Sequence, residues 1–122
     1  MAASATISLA GRITGEPAGS HSIGPLFISS AAANFQVQVG VLASGDNTVT
    51  VPTNIATSGV IIVLPQTNTQ LVKVKGVGGD TGVAIGKTGF FVLNWESGNA
   101  PATFILNSAG TQTGLTTQMI FF

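Results

Sequence analysis

The 122-residue chain contains no cysteine and no tyrosine, one histidine, one tryptophan and eight charged side chains. Without thiols it can form neither a disulfide framework nor a thiolate metal site. Its cations are Arg12, Lys73, Lys75 and Lys87, its anions Glu16, Asp46, Asp80 and Glu96, and the formal net charge is zero. Four scattered cations cannot supply a nucleic-acid footprint, because affinity there comes mainly from phosphate neutralisation. Nor can they line the polar face of a membrane-surface helix. The longest unbroken apolar run, Val60 to Leu64, is five residues, far short of the roughly 18 that a membrane-crossing helix needs. No nucleic-acid or membrane partner is expected. Met1 to Thr6 lack the charged region and apolar stretch of a secretory leader, so export by that route is not expected either.

What the chain has instead is uncharged polarity. Charged residues make up 7% of it, against about 25% in an ordinary soluble domain, whereas 38 residues are Ser, Thr, Asn or Gln. Hydrophobic residues reach 44%, enough for a packed core and too many for a disordered chain. Sixteen glycines and five prolines punctuate the whole length, and no apolar pattern persists at helical period. The period is two. Phe35-Gln-Val37-Gln-Val39, Thr48-Val49-Thr50-Val51 and Gln70-Leu-Val72-Lys-Val74-Lys75 alternate, which sets one strand face in a core and the other in water. Val60–Leu64, Phe90–Leu93 and Met119–Phe122 are apolar on both faces and read as strands covered on two sides, by a second sheet and by another chain. Breakers such as Gly45-Asp-Asn47, Pro65–Asn68, Gly98–Pro101 and Asn107–Gly110 arrive roughly every 10–15 residues, the rhythm of a sandwich. The pattern predicts strands over 4–9, 22–29, 34–43, 47–51, 59–64, 69–76, 82–86, 89–95, 102–107 and 115–121. Residues 1–122 are expected to form one all-β domain, a two-sheet β-sandwich or jelly-roll-like unit. Gly11 to Pro25, rich in Gly, Pro and Ser, is the stretch expected to leave it as an extended arm or loop.

Catalytic constellations are missing. His21 is the only imidazole, and its Ser neighbours in sequence do not make a dyad. Asp46 and Asp80 lie in Gly-rich turns, where a carboxylate caps backbone N–H groups. Glu16 precedes Pro17, Glu96 follows Trp95, and no two carboxylates fall in a glycosidase-like motif. Asp46, Asn47 and Asp80 lack the ligand spacing of a calcium loop. Gly76-Val-Gly-Gly-Asp-Thr-Gly82 is glycine-rich, but a phosphate loop opens a helix and this stretch lies between strands. Gly76, Gly78, Gly79, Asp80 and Gly82 are instead read as a structural turn. It should hold at least one glycine with positive φ and a backbone N–H donated to Asp80, and Gly79→Val should strain it by about 1–3 kcal/mol. Trp95 with Phe90 and Phe91 could form a sugar-stacking platform only if exposed, and in a mostly apolar strand an aromatic is core or interface. Lys73 and Lys75 read as guards against edge-to-edge pairing. No enzyme, cofactor or metal centre is expected.

Three segments carry a resemblance. Leu42-Ala-Ser-Gly-Asp-Asn-Thr-Val-Thr-Val-Pro52, Gly59-Val-Ile-Ile-Val-Leu-Pro65 and Lys75-Gly-Val-Gly-Gly-Asp-Thr-Gly-Val83 resemble small virion structural proteins of tailed bacteriophages. In those proteins a Lys-Gly-Val-x-Gly-Asp-Thr-Gly turn follows an alternating strand and an apolar strand closes the C-terminus. The similarity spans 35–122 and rests on turns and strand patterns. It implies a β-sandwich on the particle surface, a capsid-decoration or short head or tail fibre protein, commonly trimeric and docked on other virion proteins; the Cys-free, charge-poor composition separately suits a particle assembled in the host cytoplasm. The alternative is a carbohydrate- or receptor-binding surface module that meets a host-surface glycan. Low charge favours association over a free monomer. Phe121 and Phe122 are adjacent and should point oppositely, so one of them, with Ile120 or Phe91, is expected in a subunit interface of a homotrimer.

Overall fold

The computed structural model describes residues 5–15, 19–30, 35–55, 57–96 and 98–122, with the backbone alone for 5–30. The described residues contain strands and no helix: β1 (Ala5–Gly15), β2 (Gly19–Ser30), β3 (Gln36–Gly40), β4 (Gly45–Thr50), β5 (Gly59–Val63), β6 (Val72–Lys75), β7 (Val83–Ile85), β8 (Phe90–Asn94), β9 (Thr103–Ser108) and β10 (Thr117–Phe121). Each corresponds to one strand expected from the period-two pattern.

Eight of them form two four-stranded antiparallel sheets, ordered β3-β10-β5-β8 and β4-β9-β6-β7. The pairs β3·β10, β4·β9, β5·β8 and β6·β7 are nested around the β6–β7 turn. That nesting is one long ribbon folded in half. Rolling the ribbon adds the β5·β10 and β6·β9 ladders, and the result is the strand order of a jelly roll.

Alternation supplies the core between the sheets. Val60, Ile62, Met119 and Phe121 from one sheet meet Val49, Val72, Phe104 and Leu106 from the other. The Phe104 and Phe121 rings pack tilted, with centroids 6.4 Å apart, an arrangement aromatic pairs favour. One end is closed by buried amides. Gln112 Oε1 accepts from the Leu42 N–H (3.2 Å) and the Thr117 hydroxyl (2.9 Å), and its Nε2 donates to Asn68 Oδ1 (3.3 Å). Asn68 Nδ2 in turn donates to the carbonyls of Gln70 and Lys87.

β1 and β2 make a sheet of their own, an antiparallel hairpin hydrogen-bonded to neither four-stranded sheet. Its ladder runs from Ala5↔Ser30 to Gly15↔Gly19, with a register shift between Leu9 and Gly11. The part of Gly11 to Pro25 expected as an arm or loop is therefore mostly paired strand: β1 continues to Gly15 and β2 begins at Gly19. Glu16 lies outside the described residues.

Candidate assembly surface

The two sheets share a core and differ on their outer faces. Across β4-β9-β6-β7 the outer positions run Asp46, Asn107, Lys73, Ala84 in one row and Thr48, Ile105, Lys75 in the next. This face carries every charge found on the eight sandwich strands. Lys75 is buried, and its Nζ donates to both oxygens of Asp46 (3.1 and 3.2 Å) and to the Gly78 carbonyl (2.6 Å). The Asn107 amide also donates to Asp46. First this amide and then the Lys75 ammonium hold the Asp46 carboxyl below the ordinary carboxylate range.

Two expectations are corrected here. Lys73 and Lys75 do not guard an edge, because β6 lies between β9 and β7. Asp46 does not cap its turn but bridges β4 to β6 and β9. The turn is capped by Asn47, whose Oδ1 accepts from the Ala43 N–H and whose Nδ2 donates to the carbonyls of Ala43 and Gly45.

The Gly76–Gly82 turn is built partly as expected. Asp80 Oδ2 accepts from the N–H groups of Gly76 (3.1 Å) and Val77 (2.9 Å). Positive φ falls at Gly82 alone among its glycines, at 76°. A Cβ on Gly82 would lie 2.8 Å from the Val74 carbonyl oxygen and 2.6 Å from Lys75 Cγ, whereas one on Gly79 would meet nothing within 4 Å. Strain therefore belongs to Gly82 and not to Gly79. Gly78 serves through its carbonyl, which receives the Lys75 ammonium.

The outer face of β3-β10-β5-β8 is of the opposite kind. Its rows run Val37, Ile120, Ile61, Val92 and Val39, Gln118, Val63, Phe90. Seven of these eight side chains are apolar and none is charged. Val39 is 56% exposed and Phe90 62%, and Phe35 just before β3 is 61% exposed. The alternation of Phe35-Gln-Val37-Gln-Val39 is real but its polarity is inverted, since the valines face outward and Gln36 and Gln38 face the other sheet. The reason is position. β3 is an edge strand, so its inner side lies at the rim of the sandwich, where a long amide can reach across: Gln38 Nε2 donates to the Thr50 carbonyl of β4 (3.2 Å).

Of the four residues expected at an interface, Ile120 alone lies on this face and is partly exposed. Phe91 points inward and packs against the core, and its neighbour Phe90 faces out. Phe121 and Phe122 are 0% and 1% exposed in the single chain and offer no area to a partner. Phe121 fills the core beside Phe104. Phe122 pairs through its backbone with Gly59, and its ring occupies the space a side chain at 59 would take, with Cζ 2.6 Å from that Cβ position. One strand of a lone sandwich thus buries both phenylalanines because its neighbour supplies a glycine. Trp95 packs against the core and donates its indole N–H to the Thr57 carbonyl (2.8 Å), which leaves no free aromatic platform at that position. Among the described residues no three of His, Cys, Asp and Glu converge on a point. His21 lies in β2 opposite Ile13.

The residues that sequence reasoning missed are Val37, Val39, Ile61, Val63, Val92 and Phe90. Their signal was present as paired alternation in β3 and two-faced apolarity in β5 and β8, but choosing the outward face requires the sheet order. No family model, curated protein or solved structure matches the chain.

Proposed function

We propose that this chain is a non-enzymatic structural component of a bacteriophage virion, a surface decoration or short fibre protein that self-assembles as a homotrimer and docks on other virion proteins. The observation that carries the reading is a jelly-roll sandwich with one sheet face uncharged and apolar at seven of its eight outward positions. Apolar surface collected on one face marks an interaction site, and with few charges elsewhere to keep such a face soluble, self-association is its natural fate. Jelly rolls serve in capsid and lectin domains alike. The lectin branch has the weaker support, because Trp95 is engaged with the core and Thr57, and the exposed aromatics, Phe35 and Phe90, stand among the valines of the apolar face. The resemblance of the 42–52, 59–65 and 75–83 segments to tailed-phage virion proteins adds direction to the assembly reading. The test is mass spectrometry of purified particles released by a host that carries this gene. The chain should be recovered with the shell or tail proteins in a fixed ratio. Recovery only from the soluble lysate would overturn the reading.

A further inference from the structure

We infer that the outer face of the β3-β10-β5-β8 sheet is covered in the assembled protein by the β1–β2 hairpin of a second copy of this chain. The inference rests on the self-assembly reading above and names its surface and its occupant.

The first observation is that this sheet is undefended. Its edge strands, β3 and β8, carry no charge and no proline, whereas the other sheet ends in the three-residue β7 and in β4 with Asp46. Uncharged edges beside an exposed apolar face are what natural sheets avoid unless something covers them. A face with no charge also selects against a charged partner.

The second is area. Four strands about 4.8 Å apart, over the run from Phe35 to Val41, give a flat patch of roughly 400 Å². A standard interface buries about 800 Å² on each partner. Two such faces stacked on each other fall short, so further apolar surface must come from elsewhere in the chain.

The hairpin is the third. Its strands are 11 and 12 residues long, so it extends about 36 Å. A two-stranded hairpin on its own is marginally stable in water, so this one needs a surface to lie on. The register sets Ile7 opposite Ile28 and Leu9 opposite Leu26, which places four uncharged apolar residues on one side of the ladder. The sheet face of the same chain stays open, with Val39 and Phe90 more than half exposed, so the occupant is another copy's hairpin. Such a contact is heterologous and makes a ring when its rotation closes, an open filament when it does not; the trimer proposed above is the closed case.

The 122-residue protein and two double variants test this by sedimentation. The sheet variant is Val37→Lys with Val39→Lys, and the hairpin variant is Leu9→Lys with Ile28→Lys. Wild type should sediment near three times 12.2 kDa and each variant as a monomer. An equimolar mixture should recover a 1:1 complex, because one component keeps an intact hairpin and the other an intact face. Since the chain has no cysteine, Val39→Cys provides a single thiol that reports on wild-type-like assembly even if a lysine variant fails to fold. Its maleimide reaction should slow on the order of tenfold in the oligomer, as burial protects a site in proportion to its opening. A hairpin variant that still assembles, a folded mixture that stays monomeric, a thiol equally reactive in the oligomer, or a monomeric wild type would each overturn the inference. A chain that is monomeric in solution yet present in particles would defeat this inference and the homotrimer with it, and leave only the docking on virion proteins standing. An oligomer that is absent from particles would do the reverse.

Discussion

Gln112 lies 1% exposed at the closed end of the sandwich and is the residue whose loss can be costed most directly. Truncation to alanine removes the acceptor of the Leu42 N–H and of the Thr117 hydroxyl, and the donor to Asn68 Oδ1. Two buried donors are orphaned at about 1–3 kcal/mol each, and the one buried methylene that is lost adds about 0.8 kcal/mol. Water entering the polar cavity recovers part of this. The net expectation is a loss of about 3–5 kcal/mol, a large fraction of a typical domain's total. Urea unfolding should read it as a lowered midpoint at unchanged slope. Gln112→Glu sharpens the argument. It keeps an oxygen for Leu42 and Thr117 but sets an acceptor against Asn68 Oδ1. Its carboxyl should therefore be raised in the folded state, with no ionisation penalty below the unfolded value near 4.3 and a growing one as pH rises above it. A Gln112→Ala loss under about 1 kcal/mol, or a Gln112→Glu variant with flat pH dependence, would refute this account of the closed end.

Gly82→Ala should destabilise by about 1–3 kcal/mol, the cost of a side chain at positive φ, while Gly79→Ala should melt with wild type in the same thermal scan. Gly59→Ala should be worse tolerated than either, since its Cβ would lie 2.5 Å from the Leu93 carbonyl oxygen as well as against the Phe122 ring; intrinsic Phe and Trp fluorescence during unfolding reads the loss. The folded-state pKa of Asp46 is depressed by Asn107 and Lys75, so its stabilisation is full above the unfolded carboxylate value and fades as pH falls through the folded one. Asp46→Asn should therefore flatten the acid limb of the stability curve below about pH 4, and an unchanged limb would assign that sensitivity elsewhere. Assembly through an uncharged face should be indifferent to salt from about 0.05 to 0.5 M, because there is no ion pair to screen; sedimentation at both ends checks it.

The sequence carried the strand inventory almost whole, because period-two runs and Gly/Pro breakers are local signals. It carried the Asp80 turn for the same reason. What it could not carry is which strand neighbours which. Lys73 and Lys75 look like edge guards until β6 is found between β9 and β7. Gln36 and Gln38 look like the wet side of β3 until β3 is found at the rim, with β4 within an amide's reach. Phe122 looks unburiable in one chain until Gly59 is found beside it. In each case the missing information is a contact between residues distant in sequence, and alternation is blind to it because both faces of a strand alternate equally well.

The two outer faces differ in what they give the isolated fold, and the proposed assembly would use the one that gives it least. On β4-β9-β6-β7 outer residues are tied to the fold: Asn107 and Lys75 both donate to Asp46, and Lys75 anchors the glycine turn through the Gly78 carbonyl. On β3-β10-β5-β8 the outward valines of β3 and Phe90 form no such bonds, and their apolar area remains in water while the chain is alone. Burying area gains free energy only where it was exposed beforehand. Truncation at Val37, Val39 or Phe90 should therefore cost the isolated fold little and act mainly on the proposed association. The inner residues of the same sheet, Met119, Ile62 and Phe121, behave the other way, because they are buried before any second chain arrives.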